Sequence, residues 1–224
     1  MSPELITFLM LGGVFFLVMT GFPIAFIIGS VSFLVGVFAL GPVTTFHILY
    51  SRFFDLSLNY SYLAVPLFTF MGVVLQHSGV TKELYDNLYD ALGSVRGGLA
   101  IVNVIFGTIL ATCLGVIAAS VTILSLMALA PMVTRGYDKS LAQGAIVASG
   151  TLGILIPPSI MLVVYGPQAG LSIGQMFMGA FLPGLLLSTL YILYIAVRCY
   201  LNPKLGPPIP RSEMTPMSLG KIVR

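Results

Sequence analysis

Charged residues are scarce in this chain of 224 residues. They make up 8% of it, whereas hydrophobic residues make up 58%, and soluble domains contain about 25% charged residues. No charged residue occurs within residues 5–51, 56–81, 97–134 or 140–197. Because about 20 apolar residues cross a bilayer as a helix, these stretches predict membrane-embedded helices. A soluble protein is thereby excluded.

The sequence also lacks the residues that several kinds of functional site require. Cys113 and Cys199 are its only cysteines, so neither a disulfide framework nor a cysteine-based metal site is supported. No HExxH or GxSxG motif, no pair of intramembrane aspartates and no phosphate-binding loop ending in Lys and Ser or Thr occurs. Residues 1–4 lack the basic start and cleavage site of a secretory signal. We expect no enzyme and no cofactor.

Glycine, proline and polar residues divide the apolar stretches into an all-α membrane fold of short and broken helices. Residues 1–201 form the membrane domain, residues 78–96 an amphipathic cytoplasmic connector, and residues 202–224 a proline-rich cytoplasmic linker. Arg52 and Asp55 are expected to pair in a solvated loop. The predicted spans are about 5–20, 24–40 and 56–77, followed by a re-entrant helical hairpin at 97–134, a broken helix at 140–166 and a last span at 175–198.

Positive charge predicts the orientation of these spans, because Lys and Arg collect in short cytoplasmic loops. With the connector in the cytoplasm, nine of the ten Lys and Arg residues face inward and only Arg52 lies outside. The N-terminus is then outside, unless residues 5–40 cross the membrane once rather than twice.

Two glycines and two prolines lie close together in residues 150–159, between apolar helical segments. Prolines lack the N–H of a helical hydrogen bond, so the helix should unwind here at membrane depth. Free carbonyls in hydrocarbon are tolerated where protein, water or an ion satisfies them, and transporters use such breaks to hold Na⁺ and anionic substrates. Thr151 and Ser159 would add hydroxyl ligands, and Pro158 suits the first position of the restarting helix. The alternative is a kinked helix that neighbouring side chains repair.

The middle of the predicted hairpin is the second candidate. Gly115 interrupts it, small residues around it allow close backbone approach, and Ser120 could cap the returning arm or bind an ion. Ordinary small-residue helix packing is the alternative. Neither long stretch contains an ionisable carboxylate or histidine, which proton-coupled pumps usually carry. Na⁺ held by neutral oxygens is therefore favoured, and a hairpin tip that faces the broken helix would make one site.

With these residues in hand, the chain resembles the large membrane subunit of tripartite ATP-independent periplasmic (TRAP) transporters, DctM-like and first half only. The resembling segments are Gly21-Phe22-Pro23-Ile24-Ala25-Phe26, Ala64-Val65-Pro66-Leu67-Phe68, Met71-Gly72, Arg96-Gly97-Gly98-Leu99-Ala100, Pro131 with Arg135-Gly136-Tyr137-Asp138-Lys139, residues 148–159, and Phe181-Leu182-Pro183-Gly184.

The resemblance implies one inverted repeat of an elevator-type symporter in a bacterial inner membrane, which takes up small organic acids with Na⁺. The implied partners are a small four-helix membrane subunit, a periplasmic solute-binding protein, the second half of the permease and membrane lipid, without nucleic acid. The chain alone should not transport, and a membrane scaffold without transport activity is the alternative function. The predicted sodium ligands are Leu114, Gly115, Ser120, Gly150, Thr151, Gly153 and Pro157. The predicted substrate ligands are Ala119, Thr122, Pro158 and Ser159.

Overall fold

A computed structural model describes residues 2–209, and every regular element in this range is helical. The chain forms two compact units, Met1–Tyr60 and the residues from Ser61 onward, and each is described by itself. The first unit contains α1 (Pro3–Val18), α2 (Ile24–Leu40) and α3 (Pro42–Leu58). After a 3₁₀ turn at Tyr60–Leu63, the second unit contains α4 (Ala64–His77), α5 (Val80–Leu92), α6 (Gly98–Leu114), α7 (Ile117–Leu124), α8 (Ala130–Thr134), α9 (Lys139–Thr151), α10 (Ile160–Ala169) and α11 (Ile173–Leu201).

The first unit packs through small residues and aromatic rings. Gly13 of α1 leaves room for Val31 of α2, whose Cγ1 lies 3.2 Å from where a Cβ would stand. The rings of Phe33 and Phe46 join α2 to α3, edge to face, with centroids 5.4 Å apart. Residues 5–40 form two helices, and Gly21-Phe22-Pro23 lies between them, as it lies between the predicted spans 5–20 and 24–40.

Helix α3 corrects the expectation that Arg52 and Asp55 lie in a loop. Both residues lie within the helix, which begins at Pro42 directly after Gly41. Proline suits the first turn of a helix because its missing N–H would have no partner there. The aromatic residues that follow recur on this helix, as the stacked rings of Tyr50 and Phe54 show. Tyr50 and Phe54 are four residues apart, which is the spacing of neighbours on a helix, and the helix continues through Arg52 and Asp55.

Helix α6 forms the centre of the second unit and packs against α4, α5, α9 and α11. Gly107 allows a close approach to α9, since a Cβ there would lie 2.7 Å from the Cβ of Ser149. Helix α5 is amphipathic as predicted: it buries Thr81 and Tyr85 and exposes Lys82. The Tyr85 ring meets Phe106 of α6 edge to face at 5.2 Å. The connector is therefore packed onto the hairpin.

Two helices are long and apolar enough to cross a membrane, Ile117–Thr134 and Ile173–Leu201. The first includes α7, a π-helical segment at Ser125–Leu129, and α8. A third span results if Pro42–Leu58 and Tyr60–His77, separated by a short break, are counted together. The remaining apolar helices are shorter, with 10–17 residues, which agrees with the expected fold of short and broken helices.

Residues 202–209, which we call the strap, follow α11 and are held by the protein. The Ile209 N–H donates to the Gly93 carbonyl at 2.9 Å, and the Gly97 N–H donates to the Gly206 carbonyl at 2.9 Å. Asp138 donates its N–H to the Leu205 carbonyl at 3.1 Å. The predicted linker at 202–224 is thus packed over its first part, because backbone hydrogen bonds fix it across two turns; its remainder, 210–224, lies outside the described residues.

Candidate functional site

The broken helix interrupts its hydrogen bonds where the two prolines lie. Helix α9 passes into a 3₁₀ turn at Leu152–Ile154, and α10 begins at Ile160. The N–H groups of residues 155 and 156 both donate to the Leu152 carbonyl, at 3.0 and 2.9 Å. The Gly153 carbonyl thus lacks both helical donors, because the Ile156 N–H is taken by Leu152 and Pro157 has no N–H. The predicted break is confirmed, and a kinked but continuous helix is excluded.

Ser159 repairs one carbonyl at the break. Pro158 deprives the Ile154 carbonyl of its helical donor, and the Ser159 hydroxyl donates to that carbonyl at 2.7 Å. Ser159 is completely buried and is the N-cap residue of α10, but its side chain makes no capping bond to the helix. The expectation that Pro158 starts the second half-helix is wrong. Ser159 has the extended backbone of an N-cap, and α10 begins at Ile160.

The hairpin turns over two residues. Helix α6 ends at Gly115, whose left-handed backbone (φ 60°) favours glycine, and Val116 precedes α7 in an extended conformation. The other end of the hairpin is also closed, because the Leu99 N–H donates to the Tyr137 hydroxyl at 3.2 Å. Ser120 lies inside α7 and donates to the Val116 carbonyl at 3.1 Å, so it does not cap the returning arm.

The tip of the hairpin lies against the break. A Cβ at Gly115 would lie 3.3 Å from the Pro158 carbonyl oxygen and 3.2 Å from the Ile160 nitrogen. One turn further along α7, the Ser120 hydroxyl lies 3.3 Å from the Cβ position of Gly153. Gly150 packs directly on Val121. The two interruptions therefore lie in contact, the arrangement in which they would make one site.

Four helix ends converge there and give the site a definite polarity. The carbonyl ends of α6 and of the 3₁₀ turn after α9 carry partial negative charge, which favours a cation. The N-terminal ends of α7 and α10 carry partial positive charge, which favours an anion, and neither has a side-chain cap. Among residues 2–209 no three His, Cys, Asp or Glu side chains cluster as metal ligands. A cation at this site would therefore be held by neutral oxygens.

The predicted ligands are distributed unevenly around this point. Gly115, Ser120, Gly153 and Pro158 lie together, and Gly150 is one turn away in α9. The Thr151 hydroxyl donates to the Ala148 carbonyl at 2.7 Å. Their sodium and substrate roles stay predictions.

The other predicted ligands lie towards the edges of the site. Thr122 is on the exposed side of α7, where its hydroxyl donates to the Ala118 carbonyl at 2.7 Å. Ala119 is half-buried on α7, and Pro157 is half-buried in the break. Their roles, too, stay predictions.

Two glycines on neighbouring helices pack against the site, although no role was predicted for them. At Gly72 of α4, a Cβ would lie 2.8 Å from Cδ2 of Leu114, next to the hairpin tip. At Gly184 of α11, a Cβ would lie 2.7 Å from Cγ1 of Ile156, inside the break. Both glycines belong to segments quoted for the family resemblance, which was the available signal.

These features define a helical membrane protein whose hairpin tip and broken helix meet in one site. The family description "Tripartite ATP-independent periplasmic transporter, DctM component" matches residues 11–218. The chain belongs to this family. Because its members are transport permeases, the chain is not an enzyme, as expected.

Individual relatives show how much of the permease this chain represents. It is 36% identical over 165 residues to the C4-dicarboxylate TRAP transporter large permease protein DctM of Pseudomonas aeruginosa, covering 73% of this chain and 38% of the relative. It is 34% identical over 128 residues to the isethionate TRAP transporter permease protein DctMQ of Oleidesulfovibrio alaskensis (57% and 20%). It is 30% identical over 135 residues to the 2,3-diketo-L-gulonate TRAP transporter large permease protein YiaN of Escherichia coli (60% and 32%). The matched part thus spans less than half of each relative.

Proposed function

We propose that this chain is the first half of the large permease of a sodium-coupled transporter for small organic anions, carboxylates above all. The observation that carries the proposal is the contact of Gly115, at the hairpin tip, with Pro158 and Ile160 at the break. It brings carbonyl ends and N–H ends of half-helices to one point, which is how transporters bind a coupling ion beside an anionic substrate.

Sodium is the proposed coupling ion because the site offers neutral oxygens. The Gly153 carbonyl lacks a helical donor, and the Ser120 hydroxyl lies beside Gly153. That hydroxyl donates its proton to the Val116 carbonyl, so its lone pairs remain available to a cation. The uncapped N-termini of α7 and α10 would then receive the anion.

The substrates of the named relatives differ, but all are small organic anions: C4-dicarboxylate, isethionate and 2,3-diketo-L-gulonate. We propose the same class for this chain. The proposed partners are a second permease half, a small membrane subunit and a periplasmic solute-binding protein. The proposed location is the inner membrane of a bacterium.

The test is uptake by the chain reconstituted with its second half, the small subunit and the binding protein. We expect uptake of a labelled carboxylate with Na⁺ outside, and a loss of at least tenfold when choline replaces Na⁺ at constant membrane potential. Ser120→Ala should raise the Na⁺ concentration that gives half-maximal uptake. The control Thr189→Ala removes an exposed hydroxyl on α11 and should not change that concentration. Equal uptake in choline would refute the sodium coupling.

A further inference from the structure

A second groove lies in the same unit, away from the hairpin tip. It has a volume of about 630 Å³ and is lined by α5 on one side and by the returning arm of the hairpin on the other. This volume is within the range of small-molecule sites, about 300–1,000 Å³. The two sides differ: α5 contributes polar and charged residues, and the returning arm contributes apolar ones.

The polar side carries two opposite charges. Lys82 and Asp86 both line the groove and are both exposed. They are four residues apart on α5, yet no ion pair joins them within the part of the chain that the structure describes. Lysine four residues before an acidic residue is also the less favourable order for a helical pair. Both charges are therefore available to a ligand.

The apolar side follows the returning arm into the fold. Ile123, Leu126 and Met127 line the groove there, and Leu126 is 75% exposed. From Ile123 to Pro131, which both line the groove, the arm rises about 12 Å at helical spacing. Tyr89 also lines the groove, and tyrosine is common where a membrane meets water. The groove thus has charged residues on its α5 side and apolar residues on the side of the returning arm.

We infer that this groove binds a phospholipid with an ethanolamine headgroup. Lys82 would receive its phosphate and Asp86 its ammonium group, which a two-carbon chain joins, while an acyl chain lies along Ile123, Leu126 and Met127. A lipid with phosphate but no ammonium would leave Asp86 facing an anion. A choline headgroup would offer Asp86 a cation that has no N–H to donate.

The experiment uses the full chain, purified in mild detergent after exposure to vesicles of equal parts phosphatidylethanolamine, phosphatidylglycerol and phosphatidylcholine. Native mass spectrometry then measures which lipid stays bound. We expect phosphatidylethanolamine to be retained about fivefold more than phosphatidylglycerol, as follows from about 1 kcal/mol per surface charge. We expect it also to be retained more than phosphatidylcholine, whose cation has no N–H to donate to Asp86. Lys82→Gln should lower its retention about fivefold. Asp86→Asn should abolish the preference over phosphatidylcholine.

Glu83→Gln is the matched control, because Glu83 is exposed on the same helix and does not line the groove. It should leave lipid retention unchanged. Circular dichroism shows whether each variant is folded. If Lys82→Gln does not fold, the result for Asp86→Asn decides the inference. Equal retention of phosphatidylglycerol, no retained lipid, an equal effect of Glu83→Gln, or displacement of the lipid by a partner helix overturns the inference.

Discussion

A methyl group has little room at Gly150. A Cβ there would lie 3.1 Å from both the Cα and the nitrogen of Val121, and it would also meet the Val121 side chain. The backbone of α7 cannot move away without moving the hairpin. Gly144, six residues earlier in α9, faces open space, with no atom within 4 Å of its Cβ position. The two positions form a matched pair in one helix.

We expect Gly150→Ala to lower the free energy of unfolding by about 1–3 kcal/mol, because overpacking forces the hairpin and α9 apart. Gly144→Ala should leave it unchanged or raise it by up to about 1 kcal/mol, since alanine favours a helix over glycine. Denaturant titration of the purified chain in detergent measures both. A Gly150→Ala variant as stable as Gly144→Ala would show that the contact between hairpin and broken helix is not tight.

The sequence predicted the interruptions in the helices better than it predicted the contacts between them. Gly115 and Ser159 were placed at interruptions because glycine and proline act on their own segment. The contact of Gly150 with Val121 and the bond from Ser159 to Ile154 depend on the folded arrangement. Nothing in the local sequence specifies such pairs, so they could not be predicted from it.

At the scale of elements, Tyr137 closes the base of the hairpin. Its hydroxyl accepts the N–H of Leu99, which lies in the first turn of α6, where N–H groups have no helical partner. Tyr137 follows α8 and is 4% exposed. Burial, the largest effect, raises the pKa of Tyr137 to about 12. The neutral phenol is therefore the form that the folded protein favours.

Tyr137→Phe should lower the free energy of unfolding by about 1–3 kcal/mol, because the Leu99 N–H is left buried without an acceptor. The pH dependence gives a second readout. The tyrosine in the unfolded chain ionises near its ordinary pKa of about 10, so its stabilising effect is complete below pH 10 and is lost between pH 10 and 12. Tyr137→Phe should show a smaller loss over this range in denaturant titrations. Identical curves for both proteins would contradict the role of the Tyr137 hydroxyl in closing the base of the hairpin.

Breaks between elements were predicted well, and regular elements between them less well. The prolines at 157 and 158 and Gly115 end helices by local chemistry, and both breaks occur where expected. Helix α3 was not predicted, because Arg52 and Asp55 interrupt an apolar stretch and charged residues favour a solvated loop. The strap was missed because its three backbone bonds to distant turns leave no trace in its own composition.

For the whole molecule, the remaining question is its orientation in the membrane. Helix α11 has 29 residues, about 43 Å at helical spacing, which exceeds the roughly 30 Å of a bilayer's hydrocarbon core. Its two ends should therefore lie on opposite sides. Arg198 and Lys204 lie at its end, whereas residues 140–197 carry no charge. The excess of positive charge predicts that the Lys204 end is cytoplasmic.

Cysteine labelling tests this arrangement in a variant with Cys113→Ala, while Cys199 stays because it is completely buried. Leu171→Cys, in the exposed turn before α11, should react with a membrane-impermeant maleimide only in right-side-out vesicles. Lys204→Cys and Glu83→Cys, at exposed positions after α11 and on α5, should react only in inside-out vesicles. If Leu171→Cys and Lys204→Cys react from the same side, α11 does not span the membrane. If all three react from the reverse sides, the charge argument fails although the fold stands.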